Sequence, residues 1–292
     1  MSAEVHGLPS GAHGEPSLPR LTRRQQVEAA VYDARTREAA PSISDQDLRV
    51  DPSVLPLPNR EHADFLSAAL AALGDVNGAR VLETGCGSGT IAVYLALKGA
   101  RVVGVDVSRE LVSVAERRAA VNGVADRTEF RVMPVEQLQE PDGAFDRIVG
   151  NQVLHHFDLP SALPNIRRLL RPGGHAAFCE PVLLIPEAFR RLRDSRFVTR
   201  WLPRRVDTPT ERSLSLADLE LIASELPGVR ITPFQLLTRV RNFVPLDDGW
   251  FDRLWAVDQA LLRRFPFSQR LCRFVVIAYT AGATNPGAQH DR

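Results

Sequence analysis

Cysteine is scarce in this sequence of 292 residues, and its three cysteines are far apart. Cys86, Cys179 and Cys272 form no Cys-x-x-Cys pair, so neither a zinc site nor a redox motif is predicted. The odd number of cysteines also argues against a disulfide scaffold. We therefore predict no metal site in this chain.

Long apolar runs and an excess of charge are also lacking. No apolar stretch approaches the roughly 20 residues of a membrane span. The N-terminus, MSAEVHGLPSGAHGEPSLPR, has neither the charged start nor the apolar segment of a secretory signal. Basic residues number 36 against 35 acidic residues, and this net charge of +1 creates no global attraction to nucleic acid. These absences predict a cytoplasmic protein with no membrane span and no nucleic acid partner.

The composition changes along the chain and divides it into four parts. Residues 1–20 are rich in Gly, Pro, Ser and His, and residues 282–292 are polar, so both ends are predicted to be disordered tails. Residues 21–75 are predicted to form an N-terminal helical cap. Residues 76–281 form the main domain, which an insertion at 183–212 interrupts after the fifth strand.

The cap is predicted to contain two helices. The first runs from Leu21 to Ala40 and carries apolar side chains on one face, namely Val27, Ala30, Val31 and Ala34. The second has the sequence REHADFLSAALAALG, with Asn59 as a candidate N-cap and Gly74 at its end.

From residue 79 onward, short apolar strands alternate with helices. Seven segments are predicted strands: ARVLETG, ARVVGVDVS, TEFRVM, FDRIVGNQV, HAAFCEPV, VRITPFQLLT and LCRFVVIAYT. Ser108 and Ser215 are candidate N-caps of two of the connecting helices. This alternation predicts an α/β fold in which helices cover both faces of a parallel sheet.

A glycine-rich loop follows the first of these strands. Gly85, Gly87 and Gly89 lie between the strand and a helix whose free N–H groups can meet a ligand. Asp106 ends the second strand, where it can accept hydrogen bonds from ribose hydroxyls. A dinucleotide loop has the spacing G-x-G-x-x-G, whereas this one has G-x-G-x-G and is preceded by the acid Glu83. The pattern therefore predicts an adenosine-type ligand that carries positive charge and no phosphate.

These motifs together resemble those of the class I S-adenosylmethionine-dependent methyltransferases. The resemblance rests on LETGCGSG at 82–89, VVGVDVS at 102–108, FDRIVGNQVLHHF at 145–157 and LLRPGG at 169–174. It implies a Rossmann-like, mostly parallel sheet of seven strands with an antiparallel last strand, and FQLLT and CRFVVIAYT fit the final two strands. It also implies S-adenosylmethionine as cofactor and S-adenosylhomocysteine as product.

The resemblance implies roles for individual residues around this cofactor. Glu83 and the loop Gly85, Cys86, Gly87 and Gly89 would hold the methionine moiety, and Asn151 would line the same end. Asp106 would hold the ribose hydroxyls, and Val107 would flank the adenine. The family's usual acid after the third strand is replaced by Pro134 here, so the adenine contacts would fall to Val135 and Glu136.

Three residues are candidates for catalysis. His155 and His156 follow the fourth strand, and a neutral imidazole is suited to removing a hydroxyl proton. Glu180 follows the fifth strand and could orient one of these histidines, as in some small-molecule O-methyltransferases that the chain resembles. The alternatives are that a histidine only packs or caps, and that Glu180 closes the turn before Pro181.

The sequence predicts the chemical class of the acceptor less specifically than it predicts the cofactor. The insertion at 183–212 is rich in arginine and could grip an acidic acceptor, lie on a membrane surface, or expose a solvated face over an apolar lid. The helix with Trp250, Phe251, Leu254 and Trp255 could line an aromatic pocket or be plain core. The predicted activity is O-methylation of a small apolar molecule in secondary metabolism. N-methylation and a non-methylating cyclisation, rearrangement or decarboxylation are the alternatives, and the oligomeric state is open.

Overall fold

The computed structural model describes residues 20–55, 60–184, 212–238, 240 and 247–282. Residues 1–19, 283–292 and most of the predicted insertion lie outside the described residues, as does the candidate cap Asn59. None of the described helices combines the length and the apolar character that crossing a bilayer requires.

Seven strands form a single sheet in the order β3-β2-β1-β4-β5-β7-β6. The strands are β1 (Arg80–Thr84), β2 (Arg101–Asp106), β3 (Thr128–Val132), β4 (Phe145–Asn151), β5 (Leu170–Pro181), β6 (Arg230–Phe234) and β7 (Phe274–Thr280). The pairs among β1 to β5 are parallel, whereas β7 runs antiparallel to both β5 and β6. The predicted seven-stranded, mostly parallel sheet with an antiparallel last strand is confirmed.

Helices cover both faces of this sheet, as predicted. They are α1 (Arg23–Ala39), α2 (Arg60–Leu73), α3 (Thr90–Leu97), α4 (Arg109–Val121), α5 (Leu159–Leu169), α6 (Leu216–Glu225) and α7 (Asp248–Arg264). One apolar cluster joins the sheet to α2, α3 and α4, and a second joins it to α5, α6 and α7. Ser108 and Ser215 are the N-caps of α4 and α6, as the sequence predicts.

The carboxyl ends of the parallel strands meet at one edge of the sheet. Thr84 pairs with Val105 and Gly150, so the loops after β1, β2 and β4 begin side by side. Residues that are far apart in the sequence are thereby gathered at this edge, which is where open α/β sheets bind ligands.

The sixth strand is shorter than predicted. It ends at Phe234, and Gln235 adopts a positive φ of 61°, so residues 235–238 turn away rather than extending the strand. The buried Asp258 carboxylate of α7 accepts hydrogen bonds from the N–H groups of Leu236, Leu237 and Thr238. These amides bond to a carboxylate and not to a neighbouring strand, which is why the FQLLT segment does not continue the sheet.

Helix α1 forms where the sequence predicts it, but it buries a different face. Its buried residues are Gln25, Glu28 and Ala29, whereas Ala30 and Ala34 of the predicted apolar face are exposed. Thr22 caps the helix through a reciprocal pair of hydrogen bonds with Gln25. Two polar residues of this inward face, Gln25 and Glu28, line a cavity beneath α1.

Candidate active site

A cavity of about 200 Å³ opens at the carboxyl edge of the sheet. Its walls come from the loops after β1, β2, β3 and β4 and from the inward face of α1. The residues that line it are Gln25, Glu28, Tyr32, Gly85, Gly87, Val105, Asp106, Val107, Leu111, Met133, Pro134, Val135, Glu136, Gln152, Val153, His156 and Phe157. The site thus joins the sheet edge to a helix from the N-terminal cap.

The glycine loop takes a backbone path that side chains would block. Gly85 has a positive φ of 64°, and a Cβ built there would lie 2.1 Å from Cγ2 of Val153. Gly89 precedes α3 with φ 75°, and a Cβ there would lie 2.7 Å from the Cβ of Ala115 in α4. Gly85 therefore allows close approach to the loop after β4, and Gly89 allows close packing between the two helices.

Asp106 connects this loop to the next one. Its carboxylate accepts hydrogen bonds from the N–H groups of Gly87, at 2.9 Å, and Ser108, at 2.8 Å. Burial raises the pKa of the Asp106 carboxyl above its usual value, and these two N–H groups offset part of that rise. The side chain fixes the shape of the cavity wall and also faces the cavity.

Two polar side chains near the loop have a buried oxygen atom with no hydrogen-bond partner among the described residues. Oε2 of Glu83 and Oδ1 of Asn151 are both without one among the described residues. Burial raises the pKa of the Glu83 carboxyl well above its usual value, and the charge of Asp106 adds to that rise. Buried oxygens without a donor are rare in folded proteins, so their presence indicates a site for a ligand that donates hydrogen bonds.

Helix α1 is attached to this site through polar contacts. Nε2 of Gln25 donates to Oε1 of Glu136 at 3.3 Å. Oδ1 of Asp33 accepts from the hydroxyl of Ser108 and from the N–H of Glu110, at the first turn of α4. The helix therefore bridges the loops after β2 and β3 and closes one side of the cavity.

The two adjacent histidines lie in different environments. His156 lines the cavity, and its Nδ1 lies 3.1 Å from Oε1 of Glu28 in α1. His155 is buried, with Nδ1 2.7 Å from Oε2 of Glu180. Glu180 is itself fully buried and accepts hydrogen bonds from the N–H groups of Val153 and Leu154. Each histidine thus has its own carboxylate, but only one of the two faces the cavity.

Comparison with known proteins decides the family. A model described as a methyltransferase domain matches residues 82–178. A ubiquinone biosynthesis O-methyltransferase from Xanthomonas oryzae pv. oryzae (strain PXO99A) is 32% identical over 193 residues, which cover 63% of this chain and 78% of the relative. The chain belongs to the class I S-adenosylmethionine-dependent methyltransferases. A relative of the same description from Xanthomonas campestris pv. campestris (strain B100) is 31% identical over 195 residues.

Solved structures agree with this methyltransferase fold. Geranyl diphosphate C-methyltransferase from Streptomyces coelicolor A3(2), determined with S-adenosyl-L-homocysteine, superposes with a TM-score of 0.56 over 89% of this chain and 98% of its own. The 4+2 cyclase SpnF superposes with a TM-score of 0.54 over 91% of this chain and 98% of its own. Both are 18% identical to this chain, so the likeness concerns the fold.

S-adenosylmethionine is the cofactor of this methyltransferase, and the site suits its charge. Asp106 and Glu136 place two carboxylates on the cavity wall, and Glu83 is buried beside the glycine loop. Oε2 of Glu83 and Oε2 of Glu136 have no hydrogen-bond partner among the described residues. The cofactor carries an ammonium and a sulfonium group, which would offset the cost of keeping these carboxylates buried. Val107, Leu111 and Val135 supply apolar surface that could flank the adenine.

Cofactor binding is expected to release protons from Glu83. Burial keeps this carboxyl neutral over a wider pH range in the free protein, whereas a neighbouring ammonium favours its ionised form. Affinity should therefore rise with pH up to the raised pKa and level off above it. Titration of S-adenosylhomocysteine by calorimetry in two buffers with different heats of ionisation measures the proton release directly.

The variant Glu83→Gln tests the assignment of that proton. We expect it to reduce the proton release and to weaken binding by at least about tenfold, since a hydrogen bond to a charged group contributes roughly 1.5–3 kcal/mol. An apparent binding heat that is the same in both buffers for the unmodified protein would contradict the expectation.

The residues predicted from the sequence separate into two groups. Those on the cavity wall are Gly85, Gly87, Asp106, Val107, Val135, Glu136 and His156. Those absent from the wall are Glu83, Cys86, Gly89, Asn151, His155 and Glu180. Burial raises the pKa of the Cys86 thiol, and Gly89 serves the packing of two helices. The cofactor and catalytic roles of both groups stay predictions, and the unpaired oxygens of Glu83 and Asn151 support a ligand near these two residues.

The contribution of α1 to the cavity is not predicted from the sequence. Gln25, Glu28 and Tyr32 line the cavity, and none of them was singled out. The sequence does contain a pattern that could have indicated them, because these three residues recur at spacings of three and four and so form a polar face of one helix. Gln152, which has a positive φ of 54° and also lines the cavity, was missed as well.

Proposed function

We propose that this methyltransferase methylates a hydroxyl oxygen of a small, largely apolar molecule. The observation that carries the proposal is the pair formed by His156 and Glu28 on the cavity wall. The two relatives described above are named ubiquinone biosynthesis O-methyltransferases, which supports transfer to oxygen. Those names refer to ubiquinone biosynthesis and do not support the secondary metabolism expected from the sequence. The proposed function is therefore limited to the chemistry of the acceptor.

The pair can supply a base for a hydroxyl acceptor. An ionised carboxylate only accepts hydrogen bonds, so Glu28 fixes the proton of a neutral His156 on Nδ1 and leaves the lone pair on Nε2. Nε2 can then take the hydroxyl proton while the acceptor oxygen attacks. The bound cofactor supplies the electrophilic methyl group. An amine acceptor that is already neutral has less need of such a base.

The surroundings of the pair suit an apolar acceptor. Met133, Val153 and Phe157 line the cavity beside His156, and the ring of Tyr32 meets that of His156 edge-on, with centroids 6.4 Å apart. Apolar walls exclude water from the reacting groups and favour the burial of an apolar molecule. The closure of one side by α1 favours a small acceptor over a protein chain.

His155 and Glu180 are proposed to position the base. Glu180 bonds to the His155 ring and to the N–H groups of Val153 and Leu154, which begin the short turn Leu154–His156. This network fixes the backbone from which the His156 side chain extends into the cavity. Their predicted catalytic role is therefore restated as a positioning role, with the proton transfer proposed for His156.

Acceptor pairs that differ in a single group test the function. Purified protein is incubated with S-adenosylmethionine and with a phenol, the matching aniline or the methyl ether of the phenol. We expect the phenol alone to gain the mass of one methylene group, with an equal amount of S-adenosylhomocysteine released. Faster methylation of the aniline would favour N-methylation. Conversion of an acceptor with no S-adenosylhomocysteine released would favour a non-methylating reaction.

A further inference from the structure

Helix α7 has a second apolar face that the described fold leaves partly exposed. We name it the outer stripe, and it consists of the helical residues Trp250, Leu254, Val257 and Leu261 and the C-cap residue Phe265. The four helical residues recur at spacings of three and four and so share one side of the helix, and Leu254 and Leu261 are half-buried. Trp250 is 60% exposed, Val257 48% and Phe265 42%.

A different side of α7 makes the contacts with the domain. Phe251, Asp258 and Leu262 are buried, and Asp258 holds the turn after β6. Packing against the domain therefore uses one apolar side of the helix, and the outer stripe is a second apolar side that this packing does not use. Exposed apolar surface of this extent is uncommon on a protein that has no partner for it.

Arginine residues border the outer stripe. The guanidinium carbon of Arg253 lies 5.5 Å from the centroid of the Trp250 ring, and that of Arg264 lies 5.8 Å from the centroid of the Phe265 ring. Arg270 is exposed just beyond the helix. None of these three arginines forms an ion pair with a carboxylate in the described part of the chain.

The turn that follows α7 continues this surface. In the segment Pro266–Leu271, Phe267 is 71% exposed and Leu271 is 53% exposed. Among the acidic side chains described for this helix, that of Asp247 caps the N-terminus and that of Asp258 is buried. Asp252 is exposed, but it falls outside the three-and-four spacing of the outer stripe. Apolar and aromatic side chains with basic residues alongside are typical of helices that lie in a membrane interface.

We propose that the outer stripe and the following turn dock this methyltransferase onto an anionic lipid surface. Trp250, Phe265 and Phe267 enter the interface between the headgroups and the acyl chains. Arg253, Arg264 and Arg270 contact the anionic headgroups, where each basic residue contributes favourably. The helix lies parallel to the surface and does not span it.

Charge argues against two other occupants of the outer stripe. A symmetric contact with a second copy of this chain would bring the arginines of the two stripes close together, with no acidic residue on either stripe to pair with them. Residues 185–211 hold seven arginines against four acidic residues, so that segment would also add like charge. An anionic lipid surface has the opposite charge.

Co-sedimentation of the full 292-residue chain with vesicles tests the proposal. Vesicles of phosphatidylcholine mixed with phosphatidylglycerol are compared with vesicles of phosphatidylcholine alone. We expect binding to the mixed vesicles and much weaker binding to phosphatidylcholine, with a loss of binding at high salt. No acceptor or cofactor is present, so the result is independent of the proposed function.

Variants identify the surface that binds. The pair Arg253→Gln and Arg264→Gln is expected to weaken partitioning roughly 30-fold, and the pair Trp250→Ser and Phe267→Ser at least about tenfold. The matched control pair, Arg49→Gln and Arg127→Gln, removes two exposed arginines elsewhere and should leave partitioning unchanged. The proposal is overturned by an absence of binding to mixed vesicles, by an equal loss in the control, or by stripe variants that abolish self-association measured by sedimentation equilibrium.

Discussion

Replacing His156 by alanine is expected to lower kcat for a hydroxyl acceptor by about 10²–10⁴-fold, the usual contribution of a general base. His156 faces the cavity with its Nδ1 held by Glu28, and no other histidine is among the residues that line the cavity. Initial rates of S-adenosylhomocysteine formation at saturating cofactor measure the loss. Thermal unfolding of the variant shows whether the fold is retained.

Variants of Glu28 test whether its carboxylate positions the His156 ring for catalysis or only stabilises the fold. Glu28→Gln keeps an oxygen that can accept from Nδ1 but removes the charge, whereas Glu28→Ala removes both. We expect kcat to fall in the order unmodified protein, Gln variant, Ala variant, with little change in the KM for the acceptor. A purely structural role for Glu28 would instead change stability without this order in kcat.

His175→Gln is the matched control for the histidine. His175 lies in the first half of β5 and does not line the cavity, and its Nδ1 is 3.0 Å from the hydroxyl of Thr280. Its replacement should leave kcat nearly unchanged. Full activity of the His156→Ala protein on the hydroxyl acceptor would refute the assignment of the base.

Replacing Asp106 by alanine is expected to weaken S-adenosylhomocysteine binding by about 100-fold or more. The carboxylate is predicted to hold the ribose hydroxyls, and each such hydrogen bond to a charged group contributes roughly 1.5–3 kcal/mol. The variant also removes the acceptor that fixes the N–H groups of Gly87 and Ser108. Calorimetric titration gives the dissociation constant directly.

Two further variants make the Asp106 result specific. Asp106→Asn keeps the shape of the side chain but turns an amide N–H₂ toward N–H groups that need an acceptor, so it too should bind weakly. Asp126→Asn removes an exposed carboxylate in the short turn Ala125–Arg127 and should bind normally. An unchanged affinity for both Asp106 variants would mean that the ribose is held elsewhere.

The glycine loop and Asp106 could be predicted because they belong to short contiguous patterns. A strand, three closely spaced glycines and a helix specify a local backbone path, and an acid at the tip of the next strand lies beside it in any parallel sheet. The alternation of strands and helices likewise predicted the sheet, because periodicity reports which elements can form. The predicted length of β6 was wrong because the strand is ended by the Asp258 carboxylate, which belongs to α7 and is distant in sequence.

The α/β class, the cofactor family and the position of the glycine loop follow from the sequence, since these depend on neighbours along the chain. Packing between distant segments is what turns a polar face of α1 inward and brings Glu28 to His156 across 128 residues of sequence. It also decided that His155 bonds to Glu180 and that His156 faces the cavity. The physical reason is that helical periodicity reveals which residues share a face, whereas the direction of that face is set by the distant groups against which it packs.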